Sequence, residues 1–113
     1  MKVLLVEDDR KTAESIIESL KLRGHEVDWA YSLREARSFI RVHQVRRYDK
    51  GVFDMNLPDG LGTDLIAAEP LGFPVAFYSG LPDDVERKLR SMGVDGYPVF
   101  SKSDPFALLD WIG

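Results

Sequence analysis

Apolar positions along this chain switch repeatedly between two periods. Lys2 to Val6 (KVLLV) is a near-continuous apolar run, the pattern of a strand buried on both faces of a parallel sheet. It stops at three acidic residues, Glu7, Asp8 and Asp9. Ala13, Ile16, Ile17 and Leu20 then recur at helical spacing, which predicts an amphipathic helix over 10–23 closed by Gly24, with Asp9 as its cap. His25 to Ala30 alternates and predicts a second strand. Ser32 and Glu35 form an S-x-x-E capping box for a helix whose core face is Leu33, Ala36 and Phe39 or Ile40, ended by the basic stretch Arg41 to Arg47.

The second half repeats the alternation. Val52 and Phe53 lead into Asp54, and Pro58 and Gly60 cannot continue a strand. A short helix over 64–69 fits before Pro70, and Phe73 to Ser79 predicts a fourth strand. Pro82 and Asp83 start a helix with Val85, Leu89 and Met92 inward, ended by Gly93. Tyr97 to Ser101 predicts a fifth strand, and Asp104 caps a last helix through Phe106, Leu109 and Ile112. Five βα units imply an α/β doubly wound parallel sheet with right-handed crossovers and helices on both faces. At 113 residues the expectation is one domain, 1–113.

Composition narrows the function. There is no cysteine, so a disulfide framework and a thiolate metal site are excluded. A net charge of -4 argues against direct nucleic-acid binding, and no run approaches membrane-spanning length, so cytoplasmic residence is the default expectation.

Parallel strands bring their C-terminal ends to one edge. That edge should hold Glu7 and Asp8 beside Asp54, with Ser79 and Lys102 nearby. Neighbouring carboxylates repel, by on the order of 4 kcal/mol for a pair about 4 Å apart at an effective dielectric of about 20. Such a cluster calls for a cation, and oxygen ligands suit Mg²⁺. A nucleotide site of the Rossmann or flavodoxin kind would need glycines and free N–H groups where Glu7-Asp8-Asp9 stands, and no G-x-G-x-x-G or P-loop is present. A metal-dependent phosphatase or nuclease of the Toprim kind would need a second acid two residues after Asp54, where the chain has Asn56.

VLLVEDD, FDMNLPDGLG, YSG and SK, in this order and on these strand ends, resemble the receiver domain of bacterial two-component response regulators. The resemblance spans the whole chain. It implies a sheet of order 2-1-3-4-5 and a phosphoacceptor switch, a protein that catalyses at most its own phosphotransfer and dephosphorylation. Asp54 would be the phosphoacceptor, with Lys102 and Ser79 as the basic and hydroxyl partners of the phosphoryl group. Mg²⁺ would be held by Glu7, Asp8, Asp54 and the backbone carbonyl of Asn56. The implied partners are a histidine kinase or a histidine phosphotransfer protein, an output domain or target protein, and a second copy in a homodimer. The alternative is a receiver-like interaction module that does not signal through phosphate.

The chain departs from the pattern at three points. The third helix is short, Ser103 stands where the family has proline, and there is extra length between Tyr97 and Lys102. Tyr97 and Phe100 both qualify as the aromatic switch residue. A Lys102–Ser103 cis bond would cost about 3–4 kcal/mol, so a trans bond is expected, with a bulge in the fifth strand re-aiming Lys102 towards Asp54.

Overall fold

In a computed structural model of the chain, which describes residues 1–42, 48–67 and 71–113, the first strand β1 (Lys2–Val6) lies at the interior of a five-stranded sheet. It pairs in parallel with β2 (Glu26–Ala30) on one side and β3 (Lys50–Phe53) on the other. Being flanked twice explains its unbroken apolar run: Val3, Leu4, Leu5 and Val6 are all buried. The remaining elements are α1 (Arg10–Leu22), α2 (Leu33–Val42), a hairpin of two short strands β4 (Asn56–Leu57) and β5 (Gly60–Leu61), α3 (Asp64–Ala67), β6 (Val75–Ser79), α4 (Pro82–Ser91), β7 (Val99–Ser101) and α5 (Pro105–Ile112). The main sheet runs β2-β1-β3-β6-β7, all parallel, which is the expected 2-1-3-4-5 order once the hairpin is set aside.

The sheet divides the core in two. Leu4, Val6, Phe53 and Phe77 face one side with Leu33, Ala36, Val85 and Leu89 from α2 and α4. Val3, Leu5, Val52, Ala76 and Tyr78 face the other with Ile16 and Leu20 of α1 and Leu108 and Ile112 of α5. The caps follow local chemistry. Asp9 accepts from Thr12 N at 3.1 Å and starts α1; Asp104 accepts from Ala107 N at 3.3 Å and starts α5. Ser32 Oγ accepts from Glu35 N at 3.1 Å, but Glu35 makes no return bond among the described residues. The first turn of α2 is capped instead from a distance: Asp59 accepts from Leu33 N at 2.8 Å and Arg34 N at 3.0 Å.

Several expectations need correction. The fourth and fifth strands begin later than their apolar runs, at Val75 and Val99. The extra length after Tyr97 precedes β7, and the register Phe77–Val99, Tyr78–Phe100, Ser79–Ser101 is unbroken, so the strand carries no bulge. Phe106 is 72% exposed. It lies about 200° around the helix from Leu108, so α5 buries the stripe Leu108, Leu109 and Ile112 instead. The short third helix is described as Asp64–Ala67; Glu69 and Pro70, like the basic stretch 43–47, lie outside the described residues.

Candidate functional site: an acidic rim with one ammonium

Backbone bonds place each side chain of the rim. Asp54 N donates to Val6 O at 2.8 Å, one step beyond the β1–β3 pairing, so Asp54 leaves the sheet directly beside the end of β1. Glu7 is held on the other side: its N–H donates to Ala30 O at 2.9 Å, and its carbonyl accepts the Trp29 indole N–H at 2.7 Å. Gly62 is required below them, because a Cβ there would sit 1.9 Å from the Asp54 carbonyl oxygen.

The acids converge. Carboxylate oxygens of Glu7, Asp8 and Asp54 lie within 4.8 Å of one another. Glu7 and Asp54 are buried and Asp8 is exposed. Lys102 reaches in from the end of β7, with Nζ 2.7 Å from Glu7 Oε1 and 3.4 Å from Asp54 Oδ2. The Lys102–Ser103 peptide is trans, as expected. Lys102 N also donates to Ser79 O at 2.9 Å, which ties the lysine's backbone to the serine's strand. Ser79 is buried, and its Oγ accepts from Leu81 N at 3.0 Å. Asn56 sits exposed in β4, two residues past Asp54. All the residues predicted for the site therefore lie at or just beyond the C-terminal ends of β1, β3, β6 and β7.

Among the described residues one cation, Lys102, faces this cluster of acids, which leaves charge over. Burial, reinforced by Asp54, pushes the Glu7 carboxyl up to about 8 despite the Lys102 ammonium. For Lys102, burial works to lower the pKa, but the Glu7 hydrogen bond and the charges of Asp54 and Glu7 outweigh it and raise the ammonium. Hard oxygen donors, two buried and one open to solvent, fit a divalent cation of the Mg²⁺ type. Sequence reasoning missed the Glu7–Lys102 contact and the Trp29 bond, since neither has a local signature.

The two candidate switch aromatics separate onto opposite faces. Tyr97 packs edge-on to Phe77 at 6.2 Å on the α4 side, whereas Phe100 packs with Trp111 at 6.1 Å on the α5 side. Neither is next to Ser79 in register; that position is Ser101.

No family model matches the chain. The chain is 32% identical over 101 residues to the cell cycle transcriptional regulator CtrA of Caulobacter vibrioides, covering 86% of the chain and 42% of CtrA. Among solved structures, the non-phosphorylated HemR receiver domain from Leptospira biflexa is 29% identical, with a TM-score of 0.72 over 98% of this chain and 87% of that one. The BeF3-activated N-terminal receiver domain of Klebsiella pneumoniae RstA has a TM-score of 0.81 at 22% identity, over 99% and 95%. A doubly wound sheet of this order with an acidic rim is the receiver architecture. The chain belongs with the receiver domains of response regulators. It spans less than half the length of the curated relatives it matches. Among the described residues, no helix is long and apolar enough to cross a membrane.

Proposed function

We propose that this domain is a phosphoacceptor switch in which Asp54 receives a phosphoryl group from a phosphohistidine of a histidine kinase or phosphotransfer protein. The observation that carries the reading is Lys102 Nζ lying 3.4 Å from Asp54 Oδ2 while the Glu7, Asp8 and Asp54 oxygens cluster within 4.8 Å. An interaction module without phosphate signalling has no need of an ammonium aimed at a buried carboxylate.

A carboxylate oxygen of Asp54 forms the new O–P bond as the N–P bond of the donor breaks, and the electron pair leaves with the imidazole. Met55 N–H donates to Asp54 Oδ1 at 2.8 Å and fixes the carboxylate plane before the donor arrives. Lys102 supplies positive charge where the phosphoryl oxygens gather negative charge. Glu7, Asp8, Asp54 and the Asn56 carbonyl would hold Mg²⁺, which would supply further neutralisation. Ser79 Oγ accepts from Leu81 N and keeps its own proton, which it donates to the acyl phosphate, drawing on the turn that opens α4. The domain is thus a signalling switch acting in the compartment of its histidine donor. An output domain, a target protein or a second copy reads the switched state; the greater length of its curated relatives supports an output domain.

Acetyl phosphate labelling followed by mass spectrometry tests this. Asp54 should be the one residue labelled, only with Mg²⁺, and Asp54→Ala should remove the label. Undiminished labelling of that variant rules the assignment out.

A further inference from the structure

Lys102 carries a long flexible stem, so its aim depends on what holds its backbone. On the N-terminal side the sheet does this, through Lys102 N to Ser79 O at 2.9 Å. Ser79 and Ser101 are the last paired residues of β6 and β7, so no ladder acceptor exists for the next donors. Ser101 provides them itself. Its Oγ accepts from Ser103 N at 3.1 Å and lies 2.7 Å from Ser103 Oγ. Its carbonyl accepts from Asp104 N at 3.0 Å. The chain then passes into α5 through the Asp104 cap.

We infer that Ser101 and Ser103 are positioning residues for Lys102: their hydroxyls close the turn that holds the ammonium between Glu7 and Asp54. The functional consequence rests on the phosphoacceptor reading; the positioning does not. Lys102 is the residue bracketed by the two serines, its peptide to Ser103 is trans, and its side chain is only 25% exposed. The bland reading is that the serines merely lead the chain into α5. The two readings differ in one respect: positioning acts only through the Lys102 ammonium.

That difference sets the experiment. Ser101→Ala removes both hydroxyl bonds and should slow Mg²⁺-dependent acetyl phosphate labelling of Asp54 by about three- to tenfold, the range of one to two modest hydrogen bonds. Ser103→Ala should have a smaller effect in the same direction, and Ser103→Thr, which keeps the hydroxyl, should restore most of that loss. In a Lys102→Ala background, Ser101→Ala should add nothing. Without any phosphodonor or metal, the Lys102 ammonium resonance in ¹H–¹⁵N spectra should be sharp in the parent protein and broaden by faster solvent exchange in Ser101→Ala. Equal slowing with and without Lys102, or an unchanged ammonium resonance in Ser101→Ala, overturns the inference. If the parent protein takes no label at all, the phosphoacceptor reading fails, and the ammonium resonance still decides whether the serines hold Lys102.

Discussion

Both edges of the sheet are crowded with charge, but only one is balanced. At the edge where the strands begin, the ionic groups find partners that the fold itself supplies. Lys2 Nζ lies 3.6 Å from Asp28 Oδ2, which also accepts from Tyr48 OH at 2.6 Å. Asp49 accepts from Lys2 N at 2.7 Å. Lys50 Nζ donates to the carbonyls of Trp111 and Ile112 and sits 4.5 Å above the Trp111 ring, closing the C-terminus of α5. Arg23 donates to Leu109 O at 3.0 Å. At the edge where the strands end, Lys102 is the one cation among the described residues that faces Glu7 and Asp54, with Asp8 beside them. A structural cluster is neutralised from within; an excess of acid retained at a sheet's C-terminal edge is a standing electrostatic cost that folding alone does not explain. The imbalance supports the proposal that this is the functional edge.

After loss of Asp54 itself, the largest effect should come from removing the Lys102 ammonium. Lys102→Ala should slow acetyl phosphate labelling of Asp54 by roughly a hundredfold, the scale on which one preorganised charge stabilises a transferring group. The same change should leave Mg²⁺ binding intact, because it removes a competitor for Glu7 and no ligand. Titration followed by NMR, set against the labelling rate, separates the two; a parallel loss of both would mean that Lys102 holds the rim together and does not act on the phosphoryl group.

Next come the adjacent acids, which read alike in sequence and differ in place. Asp8 belongs to the oxygen cluster, whereas Asp9 turns back to accept from Thr12 N and Thr12 Oγ1, which hold its pKa down. Asp8→Ala should weaken Mg²⁺ binding by at least about tenfold, as loss of a charged ligand does. Asp9→Ala should lower stability as a lost cap, with little change in metal affinity. Isothermal titration and urea unfolding on the two variants check this. Equal effects on metal binding would place the cluster one residue further along.

The pH dependence of stability sharpens the contrast further. With its folded pKa raised from 4.5 to about 8, Glu7 gives the native state the greater proton affinity between those values. Its contribution is therefore greatest below about 4.5 and is lost as pH rises through about 8, opposite to the ordinary carboxylate. In EDTA, stability should fall between about pH 5 and pH 8. Saturating Mg²⁺ should flatten that slope. Denaturant midpoints across the range measure it, and a slope that persists with the metal would assign the titration elsewhere.

The sheet and the rim were legible in the sequence because both are local consequences of pattern. A run such as KVLLV can be satisfied only between two strands, and parallel strands deliver their C-terminal residues to one edge whatever the details. What could not be read depends on contacts between distant positions. Asp59 reaches across 26 residues to cap α2, and Trp29 across 22 to the Glu7 carbonyl. Lys102 lies nearer Glu7 than Asp54, a geometry that residue types alone do not indicate. Phe106 failed as a core residue because a spacing of three also fits a stripe displaced round the helix; only packing against α1 selects Leu108, Leu109 and Ile112.

The smallest expected effect tests the balanced edge. Lys50→Met keeps apolar contact with Trp111 but deletes an ammonium that satisfies two carbonyls at the end of α5. A cation at a helix C-terminus contributes about 0.3–1 kcal/mol, and its seat on an indole ring contributes a similar amount. The loss should therefore be about 1 kcal/mol in urea unfolding. Because α5 begins at the turn carrying Lys102 and ends at Lys50, a change at one end could reach the other only by moving the whole helix. Leu108, Leu109 and Ile112, all buried against the α1 side, resist that. Labelling of Asp54 and Mg²⁺ affinity should accordingly stay within about twofold of the parent. A larger shift in either would show that the two edges are coupled through α5, and that the balanced cluster sets the geometry of the unbalanced one.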